Sequence, residues 1–238
     1  MRFFILTLTL GFSSALLPAQ EVEEAIEEKQ ELSPEERKAR VSLALGYQAG
    51  LRARQKQIRQ ADVTSADFLK GYQLALEGKE LEFTPEELRE AFAFLQKEIT
   101  ERESALAKRN LESQKAFFAE NGKIDGVVTL KSGLQYQELA SGGEQIEAEE
   151  VRVHYRGTLA DGTEFDASDG ERPAQLKLDN VIPGFREALK LIPVGARWKV
   201  FIPSDLGYGQ ERRSHLIGPN ELLIYEVELV SVVAKVEE

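Results

Sequence analysis

The sequence predicts an α+β protein in which a helical N-terminal half precedes an antiparallel β-sheet wrapped on a short helix. The first half carries helix-capping signals such as Ser33-Pro34-Glu35-Glu36, each followed by apolar residues at helical spacing. The second half alternates apolar and polar residues in short segments separated by turns such as Asp161-Gly162. Within it, Pro183-Gly184 opens a short helical pattern.

Residues 1–20 have the form of a secretory signal peptide. Arg2 supplies a positive charge, an apolar run follows at 3–17, and Pro18-Ala19 offers a small-residue cleavage site. A membrane anchor is the alternative, but the run is short for a bilayer and is interrupted by Thr7, Thr9, Ser13 and Ser14. Cleavage is favoured, which predicts an exported protein of the periplasm or cell envelope, soluble and without stable membrane insertion.

Three helices are predicted after an acidic leader at residues 21–31. The Ser33 capping box begins the first, and residues 64–67 begin the second, which ends at Gly78. A second capping box, Thr84-Pro85-Glu86-Glu87, begins the third helix. That helix has no Pro or Gly before Gly122 and is therefore about 50 Å long at ~1.5 Å per residue.

The two halves of the third helix differ in sequence character. The apolar stripe of the first half consists of Leu88, Phe92, Leu95 and Ile99. Between residues 100 and 115, only Leu106 and Leu111 stand as large apolar residues among many charges. We expect the first half to pack and the second half to form a solvated stalk.

The first hundred residues make a poor core for a monomer, so their apolar faces are predicted to meet those of a second chain in a homodimer. A self-contained three-helix bundle is the alternative. The predicted domains are a signal peptide at 1–20, a helical dimerisation domain at 21–99, a stalk helix at 100–122 and a C-terminal domain at 123–238.

The composition argues against several classes of function. The net charge of -11 argues against nucleic acid as a partner, because phosphate binding needs a basic face. Cysteine is absent and the two histidines are His154 and His215, so a thiolate nucleophile is impossible and a zinc site is not expected. Neither a metal nor a cofactor is predicted, and no Walker loop or nucleophile elbow is present.

Residues 180–185 place a tight turn directly before a helix. The backbone N–H of Ile182 has no obligatory partner at such a position, so it can bond a carbonyl oxygen of another chain. Phe185 presents an aromatic face beside it. By strand parity, Tyr155, Phe165, Trp198 and Tyr225 face this helix from the sheet. Taken singly, each aromatic residue is also typical of ordinary core packing.

Five segments of the C-terminal half match the motifs of one known family in order. They are Val-Arg-Val-His-Tyr-Arg-Gly at 151–157, Asp-Gly-Thr-Glu-Phe-Asp-Ala-Ser at 161–168, Val-Ile-Pro-Gly-Phe at 181–185, Ile-Pro-Ser-Asp-Leu-Gly-Tyr-Gly at 202–209 and Glu-Val-Glu-Leu at 226–229. The segments resemble the FKBP-type peptidyl-prolyl cis-trans isomerases. Five ordered matches are far more specific than a single short motif.

The resemblance extends into the helical half. Segments 45–50, 68–71, 117–122, 126–127 and 132–136 look like the macrophage infectivity potentiator (Mip) and FkpA group. That group implies exported FKBP-type isomerases with an N-terminal helical dimerisation domain, which form V-shaped dimers on long helical arms. The resemblance covers nearly the whole mature chain.

The implied activity is rotation about X-Pro bonds. Rotation must overcome a barrier of ~18–20 kcal/mol, yet no covalent bond is made or broken. An apolar cradle that removes water from the amide and favours its twisted form is therefore sufficient. The resemblance places around this proline pocket Tyr155, Phe165, Val181, Ile182, Phe185, Tyr208 and Tyr225, with Ile217 on a loop above it.

The resemblance also implies individual roles. Phe185 forms the pocket floor, while the Ile182 N–H and the Tyr208 hydroxyl each bond a substrate carbonyl. Asp166 lies at the rim and is oriented by Tyr155. His154 points to the opposite side of its strand and is predicted to be structural. Residues 210–219, including His215, correspond to a loop that overhangs the pocket and influences which residue is accepted before proline.

Four positions depart from the usual family pattern. Phe185 stands where tryptophan is common, Ala174 where many eukaryotic members have a bulky aromatic residue, and Tyr225 where phenylalanine is customary. Gly218 replaces a proline of the overhanging loop, which predicts a looser loop. The catalytic rate and the affinity for macrolides such as tacrolimus and rapamycin depend on these positions.

The expected partners are unfolded or proline-containing polypeptides and a second copy of the chain. A catalytically weak polypeptide-binding chaperone, which kept the pocket for docking, is the alternative to the enzyme.

Overall fold

The computed structural model describes residues 32–233. The predicted signal peptide and acidic leader lie outside these residues. The described residues divide into two compact units, one that ends at residue 49 and one that begins at residue 50. No helix of the described residues is long and apolar enough to cross a membrane.

The three predicted helices are present with the predicted starts. They are α1 at Pro34–Gln55, α2 at Ser65–Leu76 and α3 at Pro85–Asn121. In the capping box of α3 the Glu87 N–H donates to Thr84 Oγ1 at 3.2 Å and the Thr84 N–H donates to Glu87 Oε2 at 2.7 Å. Ser33 and Glu36 form the same reciprocal pair at α1. With 37 residues, α3 is about 55 Å long at ~1.5 Å per residue.

Neither α1 nor α2 buries a residue. In the unit that ends at residue 49, Val41, Leu43 and Tyr47 are exposed. In the second unit, the exposed large apolar residues of α2 and of the first half of α3 are Phe68, Leu69, Tyr72, Leu76, Phe92 and Phe94. The apolar faces of these helices therefore remain uncovered within each unit.

The C-terminal part forms one antiparallel sheet around a short helix. Its strands are β1 (Val127–Thr129), β2 (Gln135–Ala140), β3 (Glu150–Thr158), β4 (Glu164–Ala167), β5 (Ala174–Lys177), β6 (Arg197–Ile202) and β7 (Leu223–Val232). They lie in the order β1-β2-β6-β7-β3-β4, and β5 also pairs with β3. Helix α4 spans Pro183–Leu191 between β5 and β6. The predicted α+β architecture is confirmed.

The two faces of the sheet pack against different helices. On one face, Val200 of β6 lies opposite Tyr225 of β7, and both join a core that includes Phe185 and Leu189 of α4. The next pair along, Phe201 and Ile224, points to the other face because side chains alternate along a strand. There, the second-face cluster consists of Phe201, Leu222 and Ile224 packed against Phe117 and Phe118 of α3.

The prediction of a solvated stalk at residues 100–115 is wrong for one side of α3. Gln114 is only 6% exposed, and the Arg212 guanidinium bonds both carboxylate oxygens of Glu103 at 2.7 and 3.0 Å. Hydrophobic periodicity missed this face because it counts apolar residues, whereas the contacts are made by amide and charged side chains. The proposed domain boundaries themselves stay a prediction.

Candidate active site

Phe185 lies at the centre of an aromatic cluster in the first turn of α4. Its side chain is 3% exposed. The ring stacks on Tyr225, with centroids 4.4 Å apart and an interplanar angle of 22°, and it meets the Tyr155 ring edge-on at 5.9 Å. Strands β3 and β7 supply these two tyrosines, so the helix and the sheet build the cluster together.

Gly157 of β3 lets a third wall close on this cluster. The Phe165 ring of β4 packs edge-on to Tyr225 at a centroid distance of 5.5 Å. A Cβ at Gly157 would lie 2.7 Å from Phe165 ring carbons and 3.0 Å from Tyr225 Cε1. Any side chain here would push the two rings apart, so glycine is required by close approach.

Ile182 is the N-cap residue of α4, as the Pro-Gly turn predicts. Its carbonyl accepts the first helical bond from the Arg186 N–H at 3.0 Å. Among the described residues no acceptor bonds its own N–H, which therefore stays available at the positive end of the helix. Val181 and Ile182 both pack, half-buried, against the cluster.

Tyr155 and Asp166 form the rim. The Tyr155 hydroxyl donates to Asp166 Oδ2 at 2.9 Å, and the carboxylate side chain is exposed. Burial, followed by the neighbouring Asp166 carboxylate, raises the pKa of Tyr155 to about 12. Burial also raises the pKa of Tyr225, with further contributions from Tyr208, Asp166 and Tyr155. Both phenols thus stay protonated near neutral pH and can act as hydrogen-bond donors.

The remaining predicted residues come from the loop between β6 and β7. Ile217 is buried in the core cluster. Tyr208 is half-buried and packs against the same cluster. The Arg213 guanidinium carbon lies 5.5 Å from the centroid of the Tyr208 ring. The structure thereby brings eight predicted residues into one apolar cluster, namely Tyr155, Phe165, Val181, Ile182, Phe185, Tyr208, Ile217 and Tyr225, with Asp166 joined to it through Tyr155.

Two residues singled out in the sequence have other surroundings. Trp198 belongs to the same core, but its ring stacks on Tyr136 at 4.0 Å, and its buried Nε1 has no hydrogen-bond partner among residues 32–233. His154 lies opposite Glu228 in the pairing of β3 with β7. Within residues 32–233, no group of three His, Asp or Glu side chains is arranged to hold a metal ion.

Sequence reasoning missed the residues of α3 that reach the loop bearing Tyr208 and Ile217. Asn110 donates to the Pro219 carbonyl at 2.9 Å, and Gln114 donates to Ser204 Oγ at 2.8 Å. A usable signal was present: the uncharged amides Asn110, Gln114 and Asn121 share a helical face with Leu106 and Phe117 in an otherwise charged segment.

Comparisons with known proteins agree over nearly the whole described chain. Residues 142–230 match the family model described as FKBP-type peptidyl-prolyl cis-trans isomerase, and residues 38–137 match the domain amino terminal to it. The outer membrane protein MIP of Legionella longbeachae is 36% identical over 202 residues, which cover 82% of this chain and 85% of the relative. The isomerase FkpA of Aeromonas hydrophila is 38% identical over 200 residues, covering 81% of this chain and 74% of the relative.

A solved structure is similar over the same extent. The crystal structure of FkpA from Escherichia coli superposes with a TM-score of 0.57 at 30% identity and covers 84% of this chain and 96% of that protein.

Proposed function

Because the chain belongs to the FKBP-type peptidyl-prolyl cis-trans isomerases, we propose that the aromatic cluster around Phe185 is where it rotates X-Pro bonds. The observation that carries this assignment is the stacking of Phe185 on Tyr225 beside the unpaired Ile182 N–H. A proline ring needs an apolar surface, and the amide flanking it needs a donor. The cluster offers both within one turn of α4.

In this proposal the side chains only bind and orient the substrate, and none forms a covalent bond or transfers a proton. Phe185 forms the floor for the proline ring, with Phe165 and Tyr225 as walls and Val181 beside them. The Ile182 N–H and the Tyr208 hydroxyl bond substrate carbonyls, and Ile217 covers the pocket. The Tyr155 bond to Asp166 holds the rim carboxylate in place. Removing water from the amide favours its twisted form, in which the nitrogen has lost conjugation.

The direct test is isomerisation of a proline peptide by the mature chain and by Phe185→Ala. We expect kcat/KM to fall about tenfold or more, which corresponds to ~1.4 kcal/mol of transition-state stabilisation. Phe201→Ala is the matched control, since Phe201 is buried to a similar degree but faces the other side of the sheet. If Phe185→Ala retains wild-type activity, or falls only as far as folded Phe201→Ala, the assignment is wrong.

The proposed assembly is a homodimer formed through residues 33–99. Phe92 and Phe94 of α3 are 65% and 67% exposed, and α1 and α2 bury no residue. Large exposed apolar faces on soluble chains mark interaction surfaces. The match of residues 38–137 to the domain that precedes such isomerases supports pairing of two copies over a self-contained bundle.

Polypeptides are the proposed substrates, and export to the cell envelope is the proposed location. The signal-like residues 1–20 support export, and one relative is named as an outer membrane protein. Mass spectrometry of the protein from a secreting host should find the N-terminus near residue 20. The apolar cluster also suits a macrolide such as tacrolimus or rapamycin, so either compound should compete with the peptide substrate.

A chaperone role in addition to catalysis is favoured by the proposed dimer, which links two copies of the pocket. Two linked arms raise the local concentration of one site when the other holds a client chain. Suppression of aggregation by Phe185→Ala at the wild-type level would separate this role from catalysis.

A further inference from the structure

The loop between β6 and β7, residues 203–222, is held at both ends by one face of α3. At the first end, Gln114 Nε2 donates to Ser204 Oγ at 2.8 Å, and the Ser204 N–H donates to Gln114 Oε1 at 3.0 Å. Both side chains are buried. The Ser204 carbonyl in turn accepts the N–H groups of Gly207 and Gly209, both at 2.9 Å, and these glycines flank Tyr208. Gln114 is therefore two hydrogen bonds from the backbone that carries Tyr208.

The second end of the loop is held one helical turn earlier. Asn110 Nδ2 donates to the Pro219 carbonyl and to Glu221 Oε2, each at 2.9 Å. Asn220 Nδ2 returns a bond to the Ala107 carbonyl at 3.1 Å, and the Asn220 N–H donates to the Gly209 carbonyl at 2.7 Å. The last bond ties the two ends of the loop together. Ile217 lies two residues before the segment that Asn110 holds.

Gly218 lies at this contact between the loop and α3. A Cβ at residue 218 would lie 3.0 Å from Glu221 Oε2 and 3.2 Å from Leu106 Cδ2 of α3. The position is buried, so a larger residue would have to displace the ends of the Glu221 and Leu106 side chains. The sequence departure at 218 thus accompanies a close approach of the loop to α3, and the looser loop expected from the missing proline stays a prediction.

We propose that Asn110 and Gln114 are positioning residues of the isomerase, which set the loop over the pocket and so govern which residue is accepted before proline. The inference rests on the proposed function. Tyr208 and Ile217 are the pocket residues carried by this loop. Both pack into the core, but within the described residues neither forms a hydrogen bond to a strand of the sheet. Helix α3 belongs to the substrate site as well as to the dimer arm.

The experiment measures kcat and KM of the full-length chain for a series of short peptides that differ only in the residue before proline. For Asn110→Ala and Gln114→Ala we expect kcat/KM to fall about fivefold for the preferred peptides, mainly through KM, a size typical of residues that act through coupling. The ranking of the peptides should flatten. Gln114→Glu keeps an acceptor for the Ser204 N–H and offers a second oxygen to which the Ser204 hydroxyl can donate, so it should restore much of the ranking.

Asn121→Ala is the matched control. Asn121 is also a buried amide of α3, but its bond at 2.8 Å goes to Gln135 of β2, away from the loop. It should lower stability without changing the peptide ranking. If the Asn110 and Gln114 variants keep the wild-type ranking, or change it no more than Asn121→Ala, the proposal is overturned. Asn110 is only half-buried, so its variant remains a test if Gln114→Ala does not fold.

Failure of this proposal can be distinguished from failure of the proposed active site. Loss of activity in Phe185→Ala together with an unchanged ranking in Asn110→Ala would leave the site in place and remove the role of α3. Full activity in Phe185→Ala would remove the site itself.

Discussion

The first half of α3 leaves large apolar side chains exposed, whereas the second half buries polar amide side chains. In residues 85–98 the large apolar side chains of Phe92 and Phe94 are exposed. Residues 99–121 are rich in charge, yet Gln114 and Asn121 are buried against the loop and the sheet of the same unit. What decides burial is whether a matching surface lies within the chain. An uncovered apolar face can be buried by a second chain, and a polar face can be buried within the chain when each amide has a hydrogen-bond partner.

The largest effect on stability and peptide turnover is expected from cutting the chain within α3. The hydrophobic pattern alone predicts that a fragment beginning at Gly122 keeps nearly full peptide turnover, because it holds every pocket aromatic. The structure changes that expectation: such a fragment loses Gln114 and uncovers Phe201 and Ile224, from which Phe117 and Phe118 are removed. Phe117 and Phe118 are half-buried, so the loss of each should cost less than the ~3–5 kcal/mol of a fully buried phenylalanine.

We therefore expect the fragment of residues 99–238 to fold and to turn over peptides, whereas the fragment of residues 122–238 unfolds at lower urea concentration and loses most of its turnover. Urea unfolding and peptide isomerisation, measured side by side, check this. Equal stability and equal activity of the two fragments would show that the second half of α3 is a solvated stalk after all.

The exposed half of α3 gives the next largest effect. Replacing Phe92 and Leu95 by aspartate puts charges into the proposed dimer surface, where their desolvation is unfavourable. Sedimentation should find a wild-type dimer at micromolar concentration and a monomeric or partly unfolded variant. Lys97→Asp, an exposed charge change on the same helix, should remain dimeric. A wild-type monomer at that concentration would contradict the assembly.

Local signals in the sequence accounted for much of the fold and for the pocket cluster. The capping box at Thr84 and the stop at Gly122 bound α3 correctly, since both act through neighbouring residues. Alternation placed Tyr155 and Tyr225 on one face, and the Pro-Gly turn placed Ile182 at the N-cap of α4. These features depend on the period of a strand or the end of a helix, which the sequence states directly.

The contacts of α3 with the loop could not be predicted in the same way. Asn110 and Pro219 are separated by 109 positions, and their bond depends on the rotation of α3 about its axis relative to the sheet. The helical face shared by Asn110, Gln114 and Asn121 is visible in the sequence, but the partner of each amide is not, because hydrogen-bond complementarity between distant segments has no periodic signal. Likewise, no pattern in one chain distinguishes an apolar stripe that meets its own domain from one that meets another copy.

The smallest effect concerns the junction of the two halves, where Arg102 bonds both oxygens of Asp62 at 2.7 and 2.9 Å. The Asp62 side chain is 8% exposed. The Arg102 hydrogen bond, followed by that of the Arg59 N–H, lowers the pKa of Asp62 from 3.8 to about 2. The folded state thus favours the ionised carboxylate. Its stabilising contribution is complete above the unfolded pKa of 3.8 and is lost as the pH falls towards 2.

Urea unfolding of wild type and Asp62→Asn over a pH series should therefore show the variant less stable at pH 7, with the difference shrinking below about pH 4 and smallest below about pH 2. Comparing the two proteins at each pH removes the contribution of other carboxylates. Arg102→Gln should abolish most of the pH-dependent difference, and the double variant should add little to either change. A difference that stays constant from pH 7 to pH 2 would mean that the ion pair does not fix the turn at Gln60–Asp62 to α3, and that the buried face of the helix begins only at the loop contacts further along.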